Sequence, residues 1–92
     1  MTTLAKQLLF SLSTHPLPMA AFAEDQGRLP SAVLNAVREL RDRHGLAIAL
    51  GDLAGRWCCW VEEASWPQVE TMAEAVWEKK YGARRRRAAP VP

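Results

Sequence analysis

One segment, residues 29–45, constrains the fold most, because its apolar and polar residues separate at helical spacing. Its apolar positions recur every three or four residues and share one stripe of a helix, which a histidine extends: Val33, Val37, Leu40 and His44. Polar side chains gather on the opposite side: Ser31, Asn35, Arg38 and Asp42. Pro30 suits a first helical turn, and Gly45 suits the residue just beyond a last turn. The spacing predicts a helix over 30–44 with one buried and one exposed side.

Two shorter helices are predicted before this segment. The first begins after a cap at Thr2 or Thr3 and ends near His15, because the next residue is a proline. The second begins at Pro18 and stops at Gly27. Their buried residues are Leu4, Leu8, Leu9 and Leu12 in the first helix, and Met19, Phe22 and Ala23 in the second. The short turn between the second and third helices, with glycine at the corner, is typical of a helix-turn-helix.

The period changes from helical to alternating after residue 45. Large side chains occupy every second position of Leu46–Leu50, which predicts a half-buried strand. Gly51–Gly55 is predicted as a five-residue hairpin loop, and Arg56–Val61 as the returning strand. In that strand Trp57, Cys59 and Val61 share one side, and Cys58 and Trp60 share the other. A continuous helix is the alternative, but two glycines and the aromatic, β-branched content argue against it.

A final helix is predicted from Ser65 to Gly82. Its broad apolar side consists of Trp66, Val69, Met72, Ala73, Val76, Trp77 and Tyr81. Residues 83–92 are arginine, alanine, proline and valine, so we expect a disordered tail. The sequence therefore predicts one domain over 1–82, mainly α with a small β-hairpin (α+β), and an arginine-rich tail over 83–92.

Charge is unevenly distributed, although the net charge is only +2. Residues 1–82 carry eight Lys and Arg against ten Asp and Glu, whereas residues 83–92 carry four Arg and no acid. Within residues 1–82, the segment 28–44 carries four Arg against two acids, and the segment 62–80 carries five Glu against two Lys. The basic segment is predicted to form a helix surface that contacts the phosphates of a nucleic acid, and the acidic segment a helix surface that does not.

The residues do not indicate catalysis, a metal site, a cofactor or a small-molecule substrate. There is no paired-carboxylate cleft, phosphate-cradling loop or nucleophile with an adjacent base. The zinc-ligand types His15, His44, Cys58 and Cys59 match no standard spacing, and strand alternation sends the two thiols to opposite faces. No run of about eighteen apolar residues and no leader-like start occur, so we expect a cytoplasmic protein that does not enter a membrane. Adjacent cysteines fit a reducing compartment.

The order helix, helix-turn-helix, two-stranded hairpin resembles the winged helix-turn-helix domains of bacterial and phage regulators over Pro18–Val61. Phe22-Ala23 is similar to the family's apolar–alanine pair, and Gly27 to its turn glycine. Pro30–Val33 and Gly45-Leu46 are similar to the start and exit of its recognition helix. The resemblance implies that base edges or nearby phosphates are faced by Ser31, Ala32, Asn35 and Arg38, with Arg56 beside the wing.

We therefore expect a regulator that binds double-stranded DNA sequence-specifically, with helix 30–44 in the major groove. Base contacts are expected from Ser31, Asn35 and Arg38, and phosphate contacts from Arg28, Arg41, Arg43 and Arg56. The tail arginines, Arg84, Arg85, Arg86 and Arg87, either contact phosphate or only solubilise the chain. The alternative is a winged-helix module that binds a protein. Leu34 on the polar side, spare tryptophans and a predicted loop without Lys or Arg favour that alternative.

Four tryptophans exceed what a three-helix core of this size needs: Trp57, Trp60, Trp66 and Trp77. Either the last helix covers the hairpin and buries some of them, or its apolar side pairs with a second copy. A homodimer would suit a regulator that reads a two-fold DNA site, and aromatic residues are enriched in interface cores. The predicted dimer interface consists of Trp66, Val69, Met72 and Trp77.

Overall fold

In the computed structural model, which describes residues 1–81, the chain forms four α-helices and a three-stranded antiparallel sheet. The elements in chain order are α1 (Thr3–Ser11), β1 (Leu17–Pro18), α2 (Met19–Asp25), α3 (Pro30–Asp42), β2 (Ile48–Leu53), β3 (Arg56–Val61), a 3₁₀ turn (Glu63–Ser65) and α4 (Trp66–Tyr81). The strand order is β1-β3-β2. This arrangement confirms the predicted mixed class, with helices dominating and a β-hairpin after the third helix.

The predicted apolar stripes of the first three helices form a shared core. α1 and α2 both pack against α3, and α2 also contacts β3. The helical residues of this core are Leu4, Ala5, Leu8, Leu9, Met19, Phe22, Ala23, Val33, Ala36, Val37, Leu40 and Val69. Leu12, Leu46, Ile48, Cys59 and Val61 close the core from the linkers and the hairpin. The buried side of α3 therefore lies at the centre of the molecule.

α1 ends at Ser11, so the predicted end near His15 is wrong by about one turn. Leu12 already has extended backbone angles, φ −69° and ψ 144°. The carbonyl of the next residue, Ser13, accepts a hydrogen bond from the Val61 N–H at 2.9 Å. The chain leaves the helix early because this linker bonds to the end of β3.

β1 is a two-residue strand that the sequence pattern did not predict. It lies antiparallel to β3, with Leu17 opposite Cys59 and Pro18 opposite Cys58. A proline is tolerated there because β1 is an edge strand and needs no ladder donor on its outer side. The short strand fixes the start of α2 to the hairpin.

The hairpin has a two-residue turn, so the predicted five-residue loop Gly51–Gly55 is wrong. β2 continues to Leu53, which pairs with Arg56, and only Ala54 and Gly55 connect the strands. Both connecting residues have positive φ, 54° and 80°, as a type I′ turn requires. This turn matches the right-handed strand twist, which explains why pairing extends farther than the glycine positions indicated.

Gly51 lies inside β2 and has a packing role. It pairs with Cys58, and the ring of Trp60 covers it: a Cβ placed on Gly51 would lie 2.8 Å from Trp60 Cη2. The two glycines of the predicted loop therefore have different roles. Gly55 belongs to the turn, whereas Gly51 is a strand residue that leaves room for the ring of Trp60.

α3 ends at Asp42, two residues before the predicted end. His44 is half-buried beyond the helix, and so it does not continue the apolar stripe. Gly45 has φ +64°, which turns the chain so that the Leu46 N–H donates to the Leu40 carbonyl at 3.1 Å. This left-handed exit confirms the predicted role of Gly45.

Candidate functional site

α3 separates into a buried and an exposed side. Val33, Val37 and Leu40 have no exposed surface, and α1 and α2 hold this side from behind. The opposite side is exposed and consists of Ser31, Asn35, Arg38 and Asp42. α3 thus packs on the core through one side and exposes short hydrogen-bonding side chains and an arginine on the other.

The residues predicted to contact bases lie in a row on this outward side. Ser31, Asn35 and Arg38 span two turns, about 10 Å along the helix axis, which corresponds to about three base-pair steps of duplex DNA. Asn and Arg can each make paired hydrogen bonds to base edges in the major groove. Ala32, predicted beside them, is half-buried and packs against the core, so it offers less surface than the other three.

The arginines predicted to contact phosphate are exposed at both ends of the α3 surface. Arg28 lies in the turn before α3, and Arg41 and Arg43 lie at its C-terminal end. Arg56 begins β3, next to the hairpin turn. Of the predicted DNA-binding residues, the structure brings Ser31 and Arg56 together, since both line an open groove between α3 and the hairpin.

This groove is largely apolar and encloses about 880 Å³. It is lined by residues of β1, α2, the first two turns of α3 and the hairpin: Pro18, Met19, Ala20, Ala21, Glu24, Pro30, Ser31, Leu34, Leu50, Gly55, Arg56 and Trp57. Leu34 and Leu50 are half-buried in it, and Trp57 keeps 59% of its surface exposed.

Strand register explains the hairpin wall of the groove. Leu50 pairs with Cys59, and Trp57 lies two residues before Cys59, so all three share one face of the sheet. Cys59 faces the core, whereas Trp57 lies toward the turn, beyond the end of the core. Sequence analysis missed this groove, although the period-two pattern already placed Trp57 on the same side as Cys59.

The polar groups of the groove lie among these apolar walls. Ser31 belongs both to the groove and to the outward row of α3, and Arg56 lines the groove from the hairpin. Glu24 contributes the acidic side chain of the lining. The groove and the polar row therefore form one continuous surface that starts at the first turn of α3.

Glu39 ties the beginning of the chain to α3. Its two carboxylate oxygens accept hydrogen bonds from the Thr2 N–H at 2.9 Å and the Thr2 hydroxyl at 3.0 Å, and the terminal amine of Met1 lies 4.0 Å away. Burial favours a higher pKa for Glu39, but the Thr2 hydrogen bonds, the terminal amine and Arg43 outweigh it and lower the pKa below 4.5. Thr2 also caps α1 by accepting the Ala5 N–H at 3.2 Å, so this contact joins α1 to α3.

Both cysteines are free and buried, on opposite faces of β3 as the alternation predicted. Burial, and then the neighbouring Cys58, raise the pKa of Cys59 to about 11. Cys58 Sγ donates to the Arg56 carbonyl at 3.6 Å. A buried thiol with a raised pKa is a poor nucleophile. Within residues 1–81, no three His, Cys, Asp or Glu side chains form a group that could hold a metal ion.

α4 packs on α1 through part of its apolar side. Trp77 contacts Phe10 edge-to-face, with centroids 5.0 Å apart, and Tyr81 at 4.3 Å. Of the predicted dimer residues, Val69 is fully buried within the single chain, so it cannot contact a second copy in this arrangement. Trp66, Met72 and Trp77 are half-buried and keep part of their surface exposed.

The predicted tail contacts Arg84, Arg85, Arg86 and Arg87 lie outside the described residues. No helix within residues 1–81 has the length and apolar character needed to cross a membrane.

Comparison of the chain with protein-family models, with curated proteins and with solved structures returns no match. The candidate functional site is therefore the outward side of α3 and the adjoining groove.

Proposed function

We propose that this chain is a cytoplasmic regulator of the bacterial or phage winged helix-turn-helix type, which binds double-stranded DNA through α3. In this proposal α3 is the recognition helix and β2–β3 is the wing. The element order α1, α2, α3, hairpin supports the assignment. The proposed activity is binding, without catalysis, a cofactor or a small-molecule substrate.

One observation carries the proposal: a helix with a fully buried reverse side presents Ser31, Asn35 and Arg38 to solvent. Holding the helix backbone in place lowers the conformational entropy that is lost on binding. Arg28, Arg41, Arg43 and Arg56 flank the row and would position it by phosphate contacts, which orient a protein without reading sequence. Arg38 and Asn35 would then discriminate guanine and adenine.

The test is duplex binding by the full chain at two salt concentrations. Each arginine that contacts phosphate adds about 0.9 to the magnitude of the log–log salt slope. The double variant Asn35→Ala with Arg38→Ala is expected to relax sequence preference, since each paired base contact contributes about 1–3 kcal/mol of discrimination. Lys79→Ala on α4 is the matched control for loss of a cation and should bind like the original chain.

Removing residues 83–92 separates the tail from the folded surface. We expect the shortened chain to keep its sequence preference, while the magnitude of its log–log salt slope falls by about 0.9 for each tail arginine that contacts phosphate. If the shortened chain shows no salt-dependent affinity for any duplex, the folded surface is not a DNA-binding site.

The apolar groove favours a second function, a module that binds a protein. Leu34, Leu50 and Trp57 line one groove, and large exposed aromatic side chains are common anchors at protein interfaces. In this case Trp57→Ala would abolish the partner's binding, whereas Asn35→Ala would not. If the chain without residues 83–92 binds duplex DNA in a salt-dependent way, the regulator is favoured. If it does not bind, the protein-binding module is favoured.

The half-buried apolar residues of α4 support a homodimer through Trp66, Met72 and Trp77 as part of the proposal. Pairing would place two α3 helices on a two-fold DNA site. Light scattering measures the mass directly, and a monomer at high micromolar concentration would contradict this part of the proposal without affecting DNA binding through α3.

A further inference from the structure

Leu34 is the apolar residue on the outward part of α3. With 100° between successive residues, it lies about 60° from Ser31 and about 40° from Arg38 around the helix axis. Its side chain is half-buried and lines the groove beside Ser31. Leu34 therefore borders the arc that contains Ser31 and Arg38, on the groove side, and a duplex that approaches Ser31 from that side would reach Leu34.

The chemistry of the major groove limits what Leu34 can face there. Base edges present hydrogen-bond donors and acceptors, and their apolar group is the 5-methyl of thymine. A leucine pressed against a donor or acceptor would strip that group of water without replacing its hydrogen bond, which is unfavourable. A thymine methyl avoids this penalty and buries apolar surface on both sides.

We propose that Leu34 is a specificity-determining residue that contacts the 5-methyl group of a thymine in the DNA target. This inference rests on the proposed function, since it requires α3 to enter the major groove. It adds a chemical requirement to that function: the preferred sequence contains a thymine within one or two base pairs of the bases read by Asn35 and Arg38. Leu34 is then part of the DNA site.

The experiment uses the full 92-residue chain. Preferred duplexes are selected from a randomised pool, and each thymine of the selected sequence is replaced in turn by deoxyuridine, which lacks only the methyl group. We expect replacement at one position of each site to weaken binding about fourfold, the effect of losing one buried methyl contact. Replacement at other thymines should leave the affinity unchanged.

Variants at position 34 test whether the Leu34 side chain causes the loss of affinity when thymine is replaced by deoxyuridine. Leu34→Ala is expected to bind the thymine and uracil duplexes with equal affinity, whereas Leu34→Met, of similar volume and flexibility, should retain the preference for thymine. Asn35→Ala is the matched control: it should weaken discrimination at its own base and keep the methyl effect. Circular dichroism and thermal unfolding establish that each variant folds, which the partly exposed position of Leu34 favours.

The outcomes separate this inference from the function on which it rests. A selected sequence without a methyl-sensitive thymine overturns the role of Leu34 and leaves DNA binding intact. A methyl effect that persists in Leu34→Ala also overturns it. Failure to recover any preferred duplex overturns both the inference and the proposed regulator.

Discussion

α3 and α4 are the two longest helices described, and they are held in different ways. The reverse side of α3 has three residues without exposed surface, Val33, Val37 and Leu40, whereas in α4 only Val69 is buried to that degree. Four arginines accompany α3 in residues 28–44, and five glutamates accompany α4 in residues 62–80. α3 is central and lies within a basic segment of the chain, whereas α4 is peripheral and lies within an acidic one.

The better packed helix, α3, presents the more defined surface. Because α1 and α2 pack against α3, the backbone positions of Ser31, Asn35 and Arg38 are set before any ligand arrives. α4 rests on α1 and keeps half-covered apolar side chains, a surface better suited to docking another helix than to reading bases. The acidic residues of α4 would also repel phosphate.

The largest effect is expected from matched valine truncations in the two helices. Val37→Ala in α3 should lower the free energy of unfolding by about 2–3 kcal/mol, because two fully buried methyl groups are lost and a cavity remains. Val76→Ala in α4, which starts half-buried, should lower it by less than about 1 kcal/mol. Urea unfolding at neutral pH measures both values.

Val69→Ala provides the control within α4. Since Val69 is fully buried, its truncation should resemble that of Val37 and not that of Val76. Equal losses for Val37→Ala and Val76→Ala would mean that α4 is as much a part of the core as α3, and the comparison would fail.

A smaller, pH-dependent effect is expected at Glu39, which fixes α3 to the start of α1. Glu39→Gln should lower the free energy of unfolding at pH 7 by about 1 kcal/mol, because two hydrogen bonds from Thr2 lose their charged acceptor. The folded-state pKa of Glu39 is lowered, so this stabilisation is present above pH 4.5 and disappears as the pH falls through the folded-state pKa.

Urea unfolding of the original chain and of Glu39→Gln at several pH values tests the direction of this pH dependence. The difference between the original chain and Glu39→Gln should shrink as the solution is acidified below pH 4.5. A difference that stays constant across this range would show that the carboxylate charge does not contribute.

The smallest effect is a gain in stability at the hairpin turn. Ala54 has φ +54°, a region that is costly for alanine and that asparagine tolerates. Ala54→Asn should create the Asn-Gly sequence favoured in type I′ turns and raise the melting temperature, with a gain of about 0.5 kcal/mol. Its duplex affinity should be unchanged, which would separate stability from the contacts made by α3. A lower melting temperature would contradict the turn assignment.

The sequence predicted α3 well because its signals are local and agree with one another. The spacing of Val33, Val37 and Leu40, a proline at the start and Gly45 at the exit all indicate the same helix, and the structure confirms each role. The exposure of Asn35 and Arg38 follows from the same spacing. Their contacts with DNA remain a prediction.

Other features depend on partners distant in sequence, and local patterns could not supply them. β1 exists because Leu17 and Pro18 pair with β3, about forty residues later. Gly51 was interpreted as a loop residue because nothing local indicates that the ring of Trp60 will cover it. The groove likewise requires Leu34, Leu50 and Trp57 to meet across three elements.

The most direct test of the central claim is to map which side of the molecule meets duplex DNA. Backbone amide shifts of the isotope-labelled full chain are recorded by nuclear magnetic resonance during titration with a short duplex at low salt. DNA binding through α3 predicts that the largest changes occur at Ser31, Asn35, Arg38 and Arg56, while α4 is unaffected. Changes concentrated on α4, or no changes at all on α3, would contradict it.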